Sequence, residues 1–205
     1  MMRAVIPALV AVMAVPLGTA ETAYMPPAPG TIVTWKYQLE DQTFLQLSEV
    51  VASGGDFVVY DPNLGEAASR PVDFQVEFSG LHTQTCDQPL PAEDDRKALA
   101  SIWPLIRGAS ASVRSGVDSR YQVDEASEIA LLSDVEGAGE VWTVSARMGE
   151  AEMQIAVSPA LGMPVRLGWP SGEFGQVIEV VEPQGSAAPE RDDSLDLGFC
   201  EELLQ

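Results

Sequence analysis

The chain repeatedly places apolar side chains on alternate residues, and that periodicity restricts it to β architecture more than any other feature does. Val33, Trp35, Tyr37 and Leu39 alternate with Thr34, Lys36, Gln38 and Glu40. Successive side chains leave opposite faces of an extended backbone, so this run has one oily face and one polar face. Residues 44–52 and 56–60 are two further strand-like runs, and Ser53-Gly54-Gly55 between them suits a hairpin turn. Phe74, Val76 and Phe78 alternate with Asp73, Gln75, Glu77 and Ser79, and Gly80 breaks the run before residues 81–86. Shorter runs follow at 110–114, 120–123 and 127–132. The clearest hairpin pairs Trp142, Val144, Ala146 and Met148 with Ala151, Met153, Ile155 and Val157 across a Gly149-Glu150 turn. Residues 164–169 and 175–181 form a last pair around Pro170-Ser171-Gly172.

One segment departs from this period. Pro91 suits a first helical turn, Glu93, Asp94 and Asp95 favour its positive end, and Leu99, Ile102 and Trp103 recur at helical spacing before Pro104. Lys97 follows Glu93 by four residues and adds a surface pair. The expected fold is mainly β, α+β at the margin: a curved antiparallel sheet or half-barrel of roughly 8–11 strands wrapped over one helix.

The ends of the chain read differently. Arg3, an uncharged apolar run over 4–17 and the small residues Gly18-Thr19-Ala20 predict an export signal over 1–20. With Pro7 and Pro16 inside it, the run is short for a membrane span, so no integral span is expected after cleavage. No cysteine near Ala20 offers a lipid-attachment point. Residues 21–30 form a proline-bearing extended lead-in, 31–182 a single β-rich domain, and 183–205 a linker and tail. Cys86 and Cys200 are the only cysteines, and in the oxidising periplasmic or secreted compartment they read as a disulfide that ties the tail to the body. Neither belongs to a Cys-x-x-Cys pair or has a basic neighbour to activate its thiol.

Charge narrows the partners. With 31 acidic residues against 11 basic ones and a formal net charge of -20, the chain repels phosphate backbones and anionic headgroups, so nucleic acid is not an expected partner. The apolar content, 46%, is too high for a disordered acidic tail. Catalytic and metal-binding signals are weak. His82 is the only histidine and reads as a surface or edge residue, so neither a triad nor a multi-histidine metal site can be assembled. Gly137-Ala138-Gly139 lacks the third glycine and the following helix of a phosphate-binding turn. Glu93 with Asp94 and Asp95, and Asp192 with Asp193 and Asp196, read as solvated charge without the spacing of a calcium loop. No catalytic residue, metal ligand or cofactor is therefore expected.

Aromatic and methionine side chains carry the remaining signal. Most of them will build the core, but a curved sheet leaves part of such a set lining a cavity. The residues expected to line it are Trp35, Tyr37, Phe74, Phe78, Trp103, Trp142 and Met153, with Trp169 and Met148 in the same inventory.

Residues 158–166, Ser-Pro-Ala-Leu-Gly-Met-Pro-Val-Arg, contain a stretch that resembles the Pro-x-Leu-Gly-x-Pro-Val segment of exported half-barrel proteins. Residues 103–108, Trp-Pro-Leu-Ile-Arg-Gly, resemble a Trp-Pro-Leu-x-x-Gly element of uncharacterised exported bacterial proteins. Both cover a small part of the chain. The resemblance, to the lipoprotein-carrier superfold (LolA- and LppX-like), implies an incomplete antiparallel barrel over a helix, sometimes enclosing lipid; function does not follow from the fold.

The leading expectation is thus a non-catalytic exported binding or accessory protein with a concave apolar surface for a lipid-like small molecule or an envelope protein. A structural or interaction module that meets a cationic partner through its acidic surface is the first alternative. The second is a carboxylate hydrolase of envelope glycans, which needs two acids roughly 5–10 Å apart across a cleft.

Overall fold

The computed structural model describes residues 23–64, 73–126, 135–183 and Cys200. The expected export signal, the strand-like run at 127–132 and the tail apart from Pro183 and Cys200 lie outside these residues. The strands in chain order are β1 (Ile32–Leu39), β2 (Gln42–Ser53), β3 (Phe57–Asp61), β4 (Gln75–Phe78), β5 (His82–Thr85), β6 (Ser110–Val113), β7 (Ser119–Ala126), β8 (Trp142–Met148), β9 (Ala151–Ser158), β10 (Met163–Gly168) and β11 (Phe174–Val181). A single helix, α1 (Glu93–Ala100), lies between β5 and β6. The strands form one antiparallel sheet, ordered β5-β4-β3-β2-β1-β11-β10-β9-β8-β7-β6 and curled into a half-barrel.

A sheet this wide must curl, and four irregularities in its ladders help it to do so. The register shifts between Thr34 and Trp35, Val50 and Ala52, Val123 and Glu125, and Pro164 and Arg166. Each extra residue bends its strand and increases the local twist. The outermost strands, β5 and β6, are only four residues long, and α1 packs on β6 and β4. Short edges, one of them packed against the helix, leave little backbone free to pair with another chain.

Two buried clusters result. The helix-side cluster joins Leu99, Ile102 and Trp103 to Val76 and Phe78 of β4, Tyr121 of β7 and Ile155 of β9. The other contains Val33 and Trp35 of β1, Val58 and Tyr60 of β3, Val165 of β10 and Val177 of β11, with Val135, Ala138 and Val141 packed against them. Strand β3 contributes Phe57 and Val59 to the first and Val58 and Tyr60 to the second, so it is buried on both faces.

Two sequence expectations need correction. The helix ends at Ala100, before Ile102 and Trp103. Its ladder tightens there: Ile102 N–H donates to Leu99 O and Trp103 N–H to Ala100 O. These i→i+3 bonds keep the three apolar residues at near-helical spacing while the α-helix itself stops. His82 is 6% exposed rather than a surface residue. It does sit on an edge strand, but a 2.7 Å hydrogen bond joins its Nδ1 to the hydroxyl of Tyr121 on β7, across the curl of the sheet. Burial lowers its pKa.

The acids at the start of α1 have structural partners. Glu93 pairs with Lys97 at 2.6 Å, and Asp95 Oδ2 accepts the backbone N–H groups of Arg114 and Ser115 at 3.1 and 2.9 Å. Asp95 thereby ties the helix to the segment just after β6. At the other end, Trp103 Nε1 donates to Ser79 O at 2.9 Å in a buried setting. Trp103→Phe leaves that acceptor without its donor, an expected cost of about 1–2 kcal/mol measured by urea denaturation.

The disulfide is formed. Cys86, just after β5, is bonded to Cys200 with a Cα–Cα distance of 5.2 Å, and both residues are buried in the helix-side cluster.

Candidate functional site

Strands from both halves of the sheet line a partly open cavity of about 260 Å³. Trp35 and Tyr37 enter it from β1, Tyr60 from β3, Glu77 from β4 and Met153 from β9, with Trp169 in the turn after β10. Alternation places Trp35 and Tyr37 on one face of β1, and the register sets Trp35 beside Gln46 of β2 and Val177 of β11. Gly175 lies directly opposite Tyr37. A Cβ there would come within 2.5 Å of the tyrosine ring, so the glycine lets that ring lie over the β11 backbone.

An aromatic track leads from this cavity toward the surface. The rings of Trp35 and Tyr37 stack at 5.8 Å between centroids, and those of Tyr37 and Phe44 at 5.2 Å. Trp35 is 8% exposed and Phe44 43% exposed, so the track runs from covered to open.

The polar centre of the cavity is Glu77. It is 4% exposed, and its Oε1 accepts a 3.4 Å hydrogen bond from the Tyr60 hydroxyl. Burial pushes its carboxyl up to about 8, although the Tyr60 hydrogen bond acts in the opposite direction. Tyr60 is raised well above the usual tyrosine range and Tyr37 to about 12, in both cases by burial first and by the Glu77 charge second. No Lys, Arg or His lines the cavity among the described residues. Near pH 7 the carboxyl is therefore mostly protonated, and the interior is neutral.

The structure divides the seven side chains singled out from the sequence. It brings Trp35, Tyr37 and Met153 together on the cavity wall. Phe78 and Trp103 are buried in the helix-side cluster, and Phe74 and Trp142 pack against it; none of these four lines the cavity. Trp169 and Met148 of the wider inventory do line it. Tyr60, Glu77 and Phe44 were not singled out. A signal for Tyr60 and Glu77 existed in the unbroken apolar run of residues 57–60, which marks a strand covered on both sides, as its neighbours then tend to be.

Glu77 is the cavity's only carboxyl among the described residues, so a paired-carboxylate reaction has no second member there. No cluster of three or more metal-ligating His, Cys, Asp or Glu residues occurs among the described residues. No helix among them is long and apolar enough to cross a membrane. No protein-family model, curated protein or solved structure matches the chain.

Proposed function

We propose that the protein is a non-catalytic exported binding protein that holds a small, neutral hydrophobic molecule in the inner cavity. The observation that carries this reading is the meeting of Trp35, Tyr37 and Met153 around a buried, largely protonated Glu77. Aromatic rings and a methionine provide an adaptable apolar wall. A protonated carboxyl supplies one hydrogen-bond donor to orient an alcohol, aldehyde or ester. A ligand carboxylate would be costly beside Glu77, because no cation among the described residues lines the cavity to compensate it. The cavity is also smaller than the roughly 300–1,000 Å³ of clefts that enclose drug-sized ligands, which favours a single short chain or ring over a diacylated lipid. The half-barrel, the disulfide and the signal-like start of the chain fit an exported carrier or accessory role.

The test is a titration of n-alkyl alcohols of increasing length, followed by the fluorescence of Trp35 and Trp169. Affinity is expected to rise with each methylene, by up to about 0.8 kcal/mol, and to level off once the chain outgrows the cavity. Decanol should bind at least tenfold more tightly than decanoate at pH 7. Leu167→Trp, which fills the cavity from β10, should abolish the response. A flat response across the series, or equal binding of alcohol and carboxylate, would remove this reading.

A further inference from the structure

Beside the cavity, with which it shares Met153 and Trp169, the polar face of β6–β10 gathers positive charge that the rest of the chain lacks. The ladders place Ser112 opposite Arg120, Arg120 opposite Arg147, and Arg147 opposite Glu152. Three of the chain's 11 basic residues, Arg120, Arg147 and Arg166, line one open trough of about 1120 Å³. Directly opposed like charges destabilise a sheet. Arg120 and Arg147 are both exposed, and neither forms an ion pair among the described residues. The Arg166 guanidinium lies 4.9 Å from the centre of the Phe174 ring, which fixes its position. Two acids also line the trough. Glu152 faces Arg147, while Glu173 accepts hydrogen bonds from Glu40 N and Ser171 Oγ at 3.1 and 2.7 Å. Arg120 and Arg147 thus face each other without an ion pair among the described residues, in a chain whose formal net charge is -20.

The rest of the trough mixes hydroxyl, amide and indole groups with apolar side chains such as Ala111, Ala146 and Met153. Ser112 offers a hydroxyl, Gln122 and Gln154 offer amides, and Trp169 and Pro170 also line it, while the Ser145 hydroxyl already donates to Asp124 Oδ2 at 2.6 Å. Paired arginines take oxyanions through their planar forks. Serine and glutamine side chains exchange hydrogen bonds with hydroxyl groups, and an indole face gives a flat apolar platform for a ring. We propose that this trough is a second binding site, for an acidic sugar: a hydroxyl-rich ring or short chain that carries carboxylate, sulfate or phosphate groups. The acids elsewhere on the surface do not forbid it, since exposed charges beyond about 8 Å are largely screened at physiological salt.

Isothermal titration with trigalacturonate, neutral maltotriose and inorganic phosphate tests the assignment. The expected result is that trigalacturonate binds at least tenfold more tightly than maltotriose, and that R120Q/R147Q weakens it by at least tenfold at a melting temperature equal to or above that of the wild type, since the like-charge opposition is relieved. R166Q is expected to weaken it as well, so the assignment does not rest on one variant. Leu167→Trp, which fills the inner cavity, should leave the affinity within twofold. Unchanged affinity in R120Q/R147Q, failure of trigalacturonate to bind, or phosphate binding as tight as the sugar acid, an adventitious ion only, would each overturn it. Parallel loss in Leu167→Trp would move the sugar to the inner cavity and also overturn it.

Discussion

The Cys86→Ala/Cys200→Ala protein is expected to be about 4–5 kcal/mol less stable than the wild type, which corresponds to a fall in Tm of about 10–20 °C for a domain of this size. The bridge spans 114 positions, and in the chain-entropy model a loop that long removes close to the largest configurational freedom a single cross-link can remove from the unfolded chain. Alanine is the suitable replacement, because both cysteines are nearly inaccessible and serine would add a desolvated hydroxyl. Urea denaturation of both proteins under non-reducing conditions measures the difference. A loss below about 1 kcal/mol would mean that the helix-side cluster holds this region without the cross-link.

The second large effect is electrostatic and depends on pH. The Glu77 carboxyl is raised by burial from 4.5 to about 8 in the folded protein. Between those values the native state holds a proton that the unfolded state releases, so stability falls as pH rises through this window. The stabilising contribution is fully present below about 4.5 and lost above about 8. A shift of this size corresponds to at most about 5 kcal/mol. Glu77→Gln keeps the shape and cannot ionise. It should therefore be near neutral at pH 4.5 and increasingly stabilising relative to the wild type up to pH 9. His82, whose pKa is lowered by burial, acts in the opposite sense, with stability lost as pH falls below about 6.5. It is present in both proteins, as is the repulsion among the other acids, so the difference between their denaturation profiles isolates Glu77. Parallel profiles across that range would show that the carboxyl is solvated.

Much of the sheet was legible because alternation and turn chemistry agreed. The β8–β9 hairpin is the clearest instance: Trp142 to Met148 and Ala151 to Ser158 pair across Gly149 and Glu150, and Gly149 adopts the positive φ of 60° that the turn needs. The cysteine pairing was legible because only two cysteines exist. The division of aromatic residues between core and cavity was not. Trp35 and Phe78 both alternate cleanly, yet they belong to different clusters. Between them lies the β2–β3 ladder with its shift between Val50 and Ala52, and an extra residue changes which parity faces inward. Nothing in residues 50–52, three small apolar side chains, announces that change. Glu77 was hidden for a related reason. Its alternation with Val76 and Phe78 reads as a polar outward face, and only the closing of distant β9 and β10 over that face makes it an interior.

The strand order itself has a kinetic consequence. From β1 to β5 and from β6 to β11, every ladder joins neighbours in sequence, so each arm of the sheet zips up from local turns. The exception is β1 with β11 at the middle of the sheet, where Ile32 meets Val181. Bringing those two strands together requires the longest excursion of the chain, and long excursions are entropically slow to close. The expected pathway is two meanders that assemble early and a central seam that forms last and limits the rate. A circular permutant opened between β5 and β6, with the β1 and β11 ends joined by a short linker, would make that seam a local turn and should fold faster than the natural order.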